Sequence, residues 1–151
     1  MPRKCVRKFY NVTFARTYTG EDQQPHDTDS FGRDDLPLVA KLADRGVVPG
    51  LAAIIVGENP ASKLYVKMKG KASEEMGLAH WTIELPENVS ERALLDEVNR
   101  LNADPKVHGI LVQQPLPPQI RVDAAVSAVD PRKDVDCFHP ANVGLVLIGR
   151  P

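Results

Sequence analysis

The sequence has little of several features that define special classes of protein. Two cysteines, Cys5 and Cys137, are too few for a disulfide framework and indicate a reducing compartment, the cytoplasm. Charged residues make up 26% of the chain and nearly cancel, to a net charge of −1, so no nucleic-acid partner is expected. The longest apolar runs are too short to cross a bilayer, and the N-terminus lacks the apolar centre of a secretory signal. These absences favour a cytoplasmic globular protein without a membrane partner.

The first 35 residues differ in charge from the rest of the chain. Residues 1–20 carry five basic residues and no acid, whereas residues 21–35 carry six acids and one arginine. Neither half shows sustained helical periodicity, so we expect residues 1–35 to form a disordered tail. Two alternatives stay open: an organelle-targeting presequence, and an N-terminus displaced by a truncated or mis-assigned reading frame.

From residue 36 to residue 151 the pattern is that of one domain in which helices and strands alternate. Asn59 and Pro60 predict a helix start, Gly77 predicts its end, and Ser90 predicts the cap of the next helix. The predicted elements are a helix before Gly46, strands at 51–57, 80–85 and 107–114, and helices at 59–76, 90–101, 122–129 and 142–148. The βαβαβα order predicts an α/β fold with three layers, αβα, around a mainly parallel sheet. Ligands of such folds bind beyond the carboxyl ends of the strands, which here are residues 57–62, 113–117 and 134–139.

The second predicted helix carries a tyrosine and a lysine on one face. Tyr65 and Lys69 are four residues apart, and a phenol beside an ammonium can tune proton transfer. Burial, or the charges of Lys67 and Lys71, would lower the pKa of Lys69 and let it act as a base near neutral pH. The plainer interpretation is that a helix with four lysines exposes them to solvent.

Polar side chains also end the third strand and begin the second helix. Gln113 and Gln114 precede a Pro-Leu-Pro turn that would form a rigid wall, and because strand residues alternate only one amide can face the crevice. Ser62 is either a helix cap or a ligand contact, and a cap is the more ordinary role.

Two aspartates follow at the third rim segment. Asp134 and Asp136 point in opposite directions if the chain is extended, so one can face the crevice while the other caps or pairs with Lys133 or Arg132. A carboxylate in the crevice can accept hydrogen bonds from two parallel N–H donors, such as those of an aminopyrimidine or a guanidinium.

A metal site is the competing interpretation of the same segment. Asp134, Asp136 and His139 would be its ligands, but no further ligands cluster nearby, so we predict no bound metal. His80 and His108 lie within strand patterns and are interpreted as structural.

Three specific motifs carry a family resemblance. They are PGLAAIIVGENPAS-x2-YVKMK, HGILVQQPLPP and DPRKDVDCFHPANVG, in this order, within a match that runs from about residue 48 to the end, roughly two-thirds of the chain. Together they resemble the N-terminal catalytic domain of bifunctional methylenetetrahydrofolate dehydrogenase/methenyltetrahydrofolate cyclohydrolase of the bacterial type. The resemblance implies a folate substrate, oxidation of 5,10-methylenetetrahydrofolate to the 5,10-methenyl form with NADP, and hydrolysis of that form to 10-formyltetrahydrofolate.

The resemblance also implies roles for single residues. Lys69 matches the general acid/base, Tyr65 the tyrosine that stacks on the folate, Gln113 the glutamine that keeps the lysine neutral, and Asp136 the aspartate that binds the pterin amine. Further positions match the family's substrate wall: Ser62, Pro115 and Leu116. Water would attack the methenyl carbon while Lys69 shuttles the proton.

The chain departs from the family at several places. Gln114 replaces the usual leucine, and Cys137 replaces the usual glycine, so a side chain at Cys137 would shift the loop if the backbone there needs a positive φ. The family's opening Ile-Asp-Gly-Lys-type segment is not visible in residues 1–35, and the chain ends where the family continues into a nucleotide-binding domain. We therefore expect no NADP binding or dehydrogenase activity from this chain alone. The resemblance implies a homodimer for the family, but its contacts come largely from that second domain, so there is little reason to expect it here.

Three functions follow as hypotheses. The first is a folate-binding domain limited to binding or weak cyclohydrolase activity. The second is a catalytically inactive fragment that binds folate or a protein partner. The third is a peptide or nucleic-acid adaptor that uses the basic N-terminus, which nothing from residue 48 onward supports.

Overall fold

A computed structural model describes residues 36–149, with side chains from residue 39 onward. The strands are β1 Gly50–Val56, β2 Ala79–Leu85 and β3 Gly109–Val112. The helices are α1 Leu36–Ala43, α2 Pro60–Glu75, α3 Glu91–Ala103, α4 Val122–Ala128 and α5 Pro140–Leu147. The sheet is parallel in the order β2-β1-β3, which confirms the predicted α/β class.

Helices cover both faces of the central strand, so β1 is buried along its whole length. Ala52 and Ile54 face α3 and α4, where they join Leu94, Val98 and Ala125 in the larger core. Leu51, Ala53 and Ile55 face the other way and pack with Val66 of α2 and Val135. Burial on both faces explains why the sequence of β1 is apolar without interruption. The sheet between two layers of helices is the predicted three-layer arrangement.

The ends of the long helices follow the local sequence. Asn59 caps α2 by accepting from the amides of Ala61 (3.0 Å) and Ser62 (3.1 Å), with Pro60 as the first helical residue. Gly77 follows the helix with φ +77°. Ser90 caps α3 through the amide of Ala93 at 3.2 Å. These four signals were predicted, and the structure confirms them.

Several predicted boundaries were wrong, among them those of the third strand and of the last helix. The third strand is four residues long instead of eight, although single ladder hydrogen bonds continue beyond both ends, from His108 N to Gly50 O (2.8 Å) and from Gln113 N to Ile54 O (2.9 Å). The last helix begins at Pro140, two residues before the predicted start, because His139 Nδ1 caps it by accepting from Ala141 N at 3.1 Å.

The predicted tail, residues 1–35, lies outside the described residues. Within the described part no helix is long and apolar enough to cross a membrane. Apolar side chains remain exposed on α5 and just after it, namely Val143, Val146, Leu147 and Ile148.

Candidate active site

The start of α2 and the end of β3 meet at the carboxyl edge of the sheet. Ser62, in the first turn of α2, is 5% exposed, and its hydroxyl donates to the carbonyl oxygen of Gln114 at 3.3 Å. The expectation that Ser62 caps the helix was wrong, because Asn59 occupies that role. Ser62 instead ties the helix to the strand end across 52 residues of sequence.

Tyr65 and Lys69 lie on the same side of α2, as their spacing predicts. The Lys69 ammonium lies 4.8 Å from the centre of the Tyr65 ring, within the range of a cation–π contact. Tyr65 is 42% exposed, whereas the Lys69 side chain is only 9% exposed. The helix therefore offers solvent an aromatic surface beside a buried cation.

Burial is the main influence on Lys69. Removal of the ammonium from water lowers the pKa of Lys69, and the negative charge of Asp136 opposes that shift without cancelling it. Lys67 and Lys71 are exposed on the same helix, so burial and not crowding by cations accounts for the shift. The plainer interpretation, a fully solvated lysine face, is wrong for Lys69.

Asp136 faces Lys69 from the loop between α4 and α5. Its carboxylate lies 3.6 Å from Lys69 Nζ, and both side chains are 9% exposed. Burial raises the pKa of Asp136, the charge of Lys69 lowers it, and the charge of Asp134 raises it again. Each partner is thus shifted toward its neutral form, which leaves the pair able to exchange a proton with a bound molecule.

Asp134 turns the other way and binds backbone. Its carboxylate accepts from the amides of Phe138 (3.3 Å) and His139 (3.0 Å), and from Asn142 Nδ2 (2.8 Å). Of the two alternatives from the sequence, pairing with Lys133 or Arg132 is wrong, and Asp134 binds loop amides just before α5, whose cap is His139.

The two basic neighbours of Asp134 have other partners. Lys133 donates to three carbonyl oxygens at the end of α3, those of Leu101, Asn102 and Asp104, at 2.7–3.0 Å. Arg132 pairs with Asp130. Lys133 therefore anchors the loop onto α3 and contributes to the placement of the aspartates that follow it.

The glutamine pair lies at the end of β3. Gln113 donates from Nε2 to the carbonyl oxygen of Gln114 at 2.8 Å, the same oxygen that Ser62 binds, and the peptide bond between Gln114 and Pro115 is cis. Pro115 is exposed, whereas Leu116 packs partly against the core formed with α3. Of the predicted wall, Gln114 contacts the start of α2, through the hydrogen bond that its carbonyl oxygen accepts from Ser62.

Histidines and acids of the described region do not form a metal centre. No group of three or more His, Cys, Asp or Glu side chains between residues 39 and 149 is arranged to hold a metal ion. His139 caps α5, and His108 Nδ1 accepts from Gly50 N at 3.1 Å, which is a structural role as predicted. His80 is packed against Gly70 of α2, with a buried Nε2 that has no hydrogen-bond partner.

Cys137, directly after Asp136, has φ +59°. This left-handed conformation is costly for a residue with a Cβ atom and natural for glycine. The positive φ at which a side chain was expected to shift the loop is therefore present at Cys137.

We expect Cys137→Gly to raise the free energy of unfolding by about 1 kcal/mol, because glycine relieves the strain. Chemical denaturation would measure the change. Cys137→Ala is the matched control, since it removes the thiol and keeps the Cβ atom. An equal gain in both variants would show that the sulfur and not the backbone is responsible.

Fold and site together define the class: an α/β domain with a buried lysine–aspartate pair at the carboxyl edge of a parallel sheet. Residues 34–136 match the family described as tetrahydrofolate dehydrogenase/cyclohydrolase, catalytic domain, and the chain belongs to this family. The predicted resemblance is thereby confirmed.

Relatives and solved structures agree with this family. The chain is 53% identical over 113 residues to the bifunctional protein FolD of Geotalea uraniireducens, which covers 75% of this chain and 40% of that protein. It resembles the Trypanosoma brucei N5,N10-methylenetetrahydrofolate dehydrogenase-cyclohydrolase (FolD), solved with NADP cofactor and inhibitor, with TM-score 0.77 and 42% identity over 82% of this chain and 42% of that one. The FolD enzyme of Campylobacter jejuni gives TM-score 0.74 and 46% identity, over 76% of this chain and 40% of that one. The chain spans about 40% of the length of the relatives that it matches.

Proposed function

We propose that Tyr65, Lys69, Gln113 and Asp136 bind a tetrahydrofolate substrate and that the chain hydrolyses 5,10-methenyltetrahydrofolate to 10-formyltetrahydrofolate. The observation that carries this proposal is the buried Lys69–Asp136 pair, with 3.6 Å between its charged atoms. A lysine whose pKa is lowered by burial supplies a base at a pH where exposed lysines are protonated.

In the proposed reaction a water oxygen bonds to the methenyl carbon of the substrate. Neutral Lys69 takes the proton from that water, which makes the oxygen a better nucleophile. The resulting adduct then breaks its carbon–N5 bond, N5 gains a proton while the hydroxyl loses one, and the formyl group stays on N10. Lys69 returns its proton to solvent, so one proton is released in each turnover.

Asp136 and Tyr65 have binding roles in this proposal. An ionised Asp136 can accept two parallel N–H donors from the amino group and ring nitrogen of the pterin. The half-exposed ring of Tyr65 provides a flat surface on which an aromatic part of the substrate can stack. Both contacts would place the methenyl carbon near Lys69.

NADP is the hydride acceptor in the family, but the described residues do not fit it. The β1–α2 turn, where a dinucleotide phosphate would meet a helix N-terminus, has a single glycine, Gly57, followed by the acidic Glu58. The amides of Ala61 and Ser62 at that N-terminus are already bound by Asn59. We therefore propose no dehydrogenase turnover for this 151-residue chain alone.

The hydrolysis of 5,10-methenyltetrahydrofolate, followed by its absorbance, tests the proposal. We expect the purified chain to exceed the uncatalysed rate, and Asp136→Ala to lower kcat/KM about 100-fold, since it removes a buried charged partner. Asp123→Ala, on the exposed start of α4, is the matched control and should leave the rate unchanged.

The other outcomes of this assay separate the alternatives. Binding of the substrate without hydrolysis would favour the second hypothesis, a folate-binding fragment, and would overturn the catalytic proposal. NADP reduction in the presence of 5,10-methylenetetrahydrofolate would contradict the expected lack of dehydrogenase activity. We also propose a cytoplasmic location without nucleic-acid or membrane partners, which fits the two cysteines and the balanced charge.

A further inference from the structure

The loop that carries Asp136 is closed by a second buried carboxylate. Asp134 is 7% exposed and accepts hydrogen bonds from the amides of Phe138 and His139 on the far side of Asp136. The loop therefore folds back on itself, with Asp136 and Cys137 at its tip. The hydrogen bonds to Asp134 fix the return of the loop, and Val135 beside it packs in the core with Val66 of α2.

Asn142 completes this closure from α5. It is 2% exposed, and its Nδ2 donates to Asp134 at 2.8 Å and to the carbonyl oxygen of Pro131 at 2.8 Å. One amide group thus joins the start of the loop, the carboxylate within it and the helix that follows. We call Asp134 and Asn142 the loop clamp.

We propose that the loop clamp positions the Asp136 carboxylate opposite Lys69, so that Asp134 and Asn142 are positioning residues for substrate binding. The inference rests on the proposed function, because it assigns Asp136 to the substrate. The clamp itself touches backbone and not the proposed reacting atoms.

Energetics favour positioning over stability as the reason for these groups. A buried carboxylate is costly, and an apolar pair of the same volume often gives a protein at least as stable. A carboxylate that accepts from three N–H donors instead holds the loop in one conformation. Each hydrogen bond is directional, and a buried group left without its partner costs free energy. The clamp also places a second negative charge close to Asp136, which electrostatics alone would avoid.

Asn142→Ala is the direct test, with Asn102→Ala as its matched control. Asn102 also binds this region through its side chain, donating to Ala128 O (2.8 Å) and accepting from Asp130 N (2.9 Å), but neither bond involves Asp134 or the amides of Phe138 and His139. We expect Asn142→Ala to raise the KM for 5,10-methenyltetrahydrofolate about 10- to 100-fold with kcat changed less than about threefold, since a displaced binding group weakens binding. Asn102→Ala should destabilise the fold without this rise in KM.

Two readouts do not depend on turnover and so separate this inference from the proposed function. Amide hydrogen exchange at Phe138 and His139 should become faster in Asn142→Ala than in Asn102→Ala. The side-chain carbon resonance of Asp136, followed through a pH titration, should move its midpoint only in Asn142→Ala. An unchanged Asp136 titration, or an equal change in both variants, would overturn the inference even if the chain proves inactive.

Asn142→Asp keeps the shape of the Asn142 side chain. It provides a second test if Asn142→Ala does not fold. It sets a second carboxylate against Asp134 at neutral pH, so the loop amides should lose protection there and regain it in acid, where one carboxyl is protonated and can donate. Equal protection at both pH values, at the level of the unmodified chain, would contradict the positioning role.

Discussion

Replacing Lys69 by methionine is expected to lower the rate of 5,10-methenyltetrahydrofolate hydrolysis at least about 100-fold, the usual contribution of a positioned general base. Methionine keeps the length of the buried side chain and removes its titratable nitrogen. The fold should survive, because Asp136 can take up a proton once its cationic partner is gone. Circular dichroism and thermal melting would check that the variant is folded.

Lys67→Met is the matched control for this substitution. Lys67 is on the same helix, two residues away, and its side chain is exposed. The proposed mechanism gives it no role, so the rate should stay within about twofold of that of the unmodified chain. Equal losses in the two variants, or none in Lys69→Met, would show that Lys69 is not the base.

The pH dependence of the reaction follows from the same two groups. Lys69 acts as a base only when neutral, so the rate should rise as the pH increases through its lowered pKa. In the proposed binding mode Asp136 would accept the pterin N–H groups only when ionised, and its raised pKa would extend the acidic range in which binding is lost. Both effects have the same sign, so activity should fall toward acid pH.

Gly50→Ala is expected to lower the free energy of unfolding by about 3 kcal/mol, near the upper end for overpacking a buried position. A Cβ atom at Gly50 would lie 2.3 Å from the backbone oxygen of Lys106 and 2.5 Å from Cζ3 of Trp81. The half-exposed Trp81 ring can move, but the carbonyl of Lys106 cannot move without the chain that leads into β3. Urea denaturation would measure the loss.

Gly144→Ala in α5 is the control for the glycine itself. A Cβ atom there meets nothing within 4 Å, so alanine should stabilise the helix by up to about 1 kcal/mol. The two variants are therefore predicted to change the free energy of unfolding in opposite directions.

Gly50 is at the amino end of β1, far along the strand from the site. The kcat of folded Gly50→Ala should therefore be unchanged at low temperature. A large loss of kcat there would contradict this separation of fold and site.

Local sequence was sufficient to predict the three layers, the order of the strands along the chain and the two ends of α2. Each of these predictions depends only on neighbouring residues, namely the apolar run of β1, the pair Asn59-Pro60 and Gly77. A single sequence therefore contains all the information that they need. The spacing of Tyr65 and Lys69 predicted a shared face for the same reason. The family resemblance then selected Asp136 over Asp134, which the residue pattern alone left open.

Contacts between distant segments could not be predicted in this way. Ser62 binds a carbonyl 52 residues away, and Lys133 binds the end of α3 about 30 residues earlier. Asn142 gave no sequence signal, because a single asparagine in a predicted helix is usually exposed. Such partners are chosen by the fold, and only the folded chain brings them together.

The most direct test of the account is to measure the ionisation of Lys69 by NMR, in the unmodified chain and in Asp136→Asn. We expect the pKa of Lys69 to lie below that of an ordinary lysine, and to fall further in the variant, because the charge that opposes the burial effect has been removed. An ordinary pKa that does not move in Asp136→Asn would mean that the two groups are not a buried pair, and would contradict the site on which the proposed function rests.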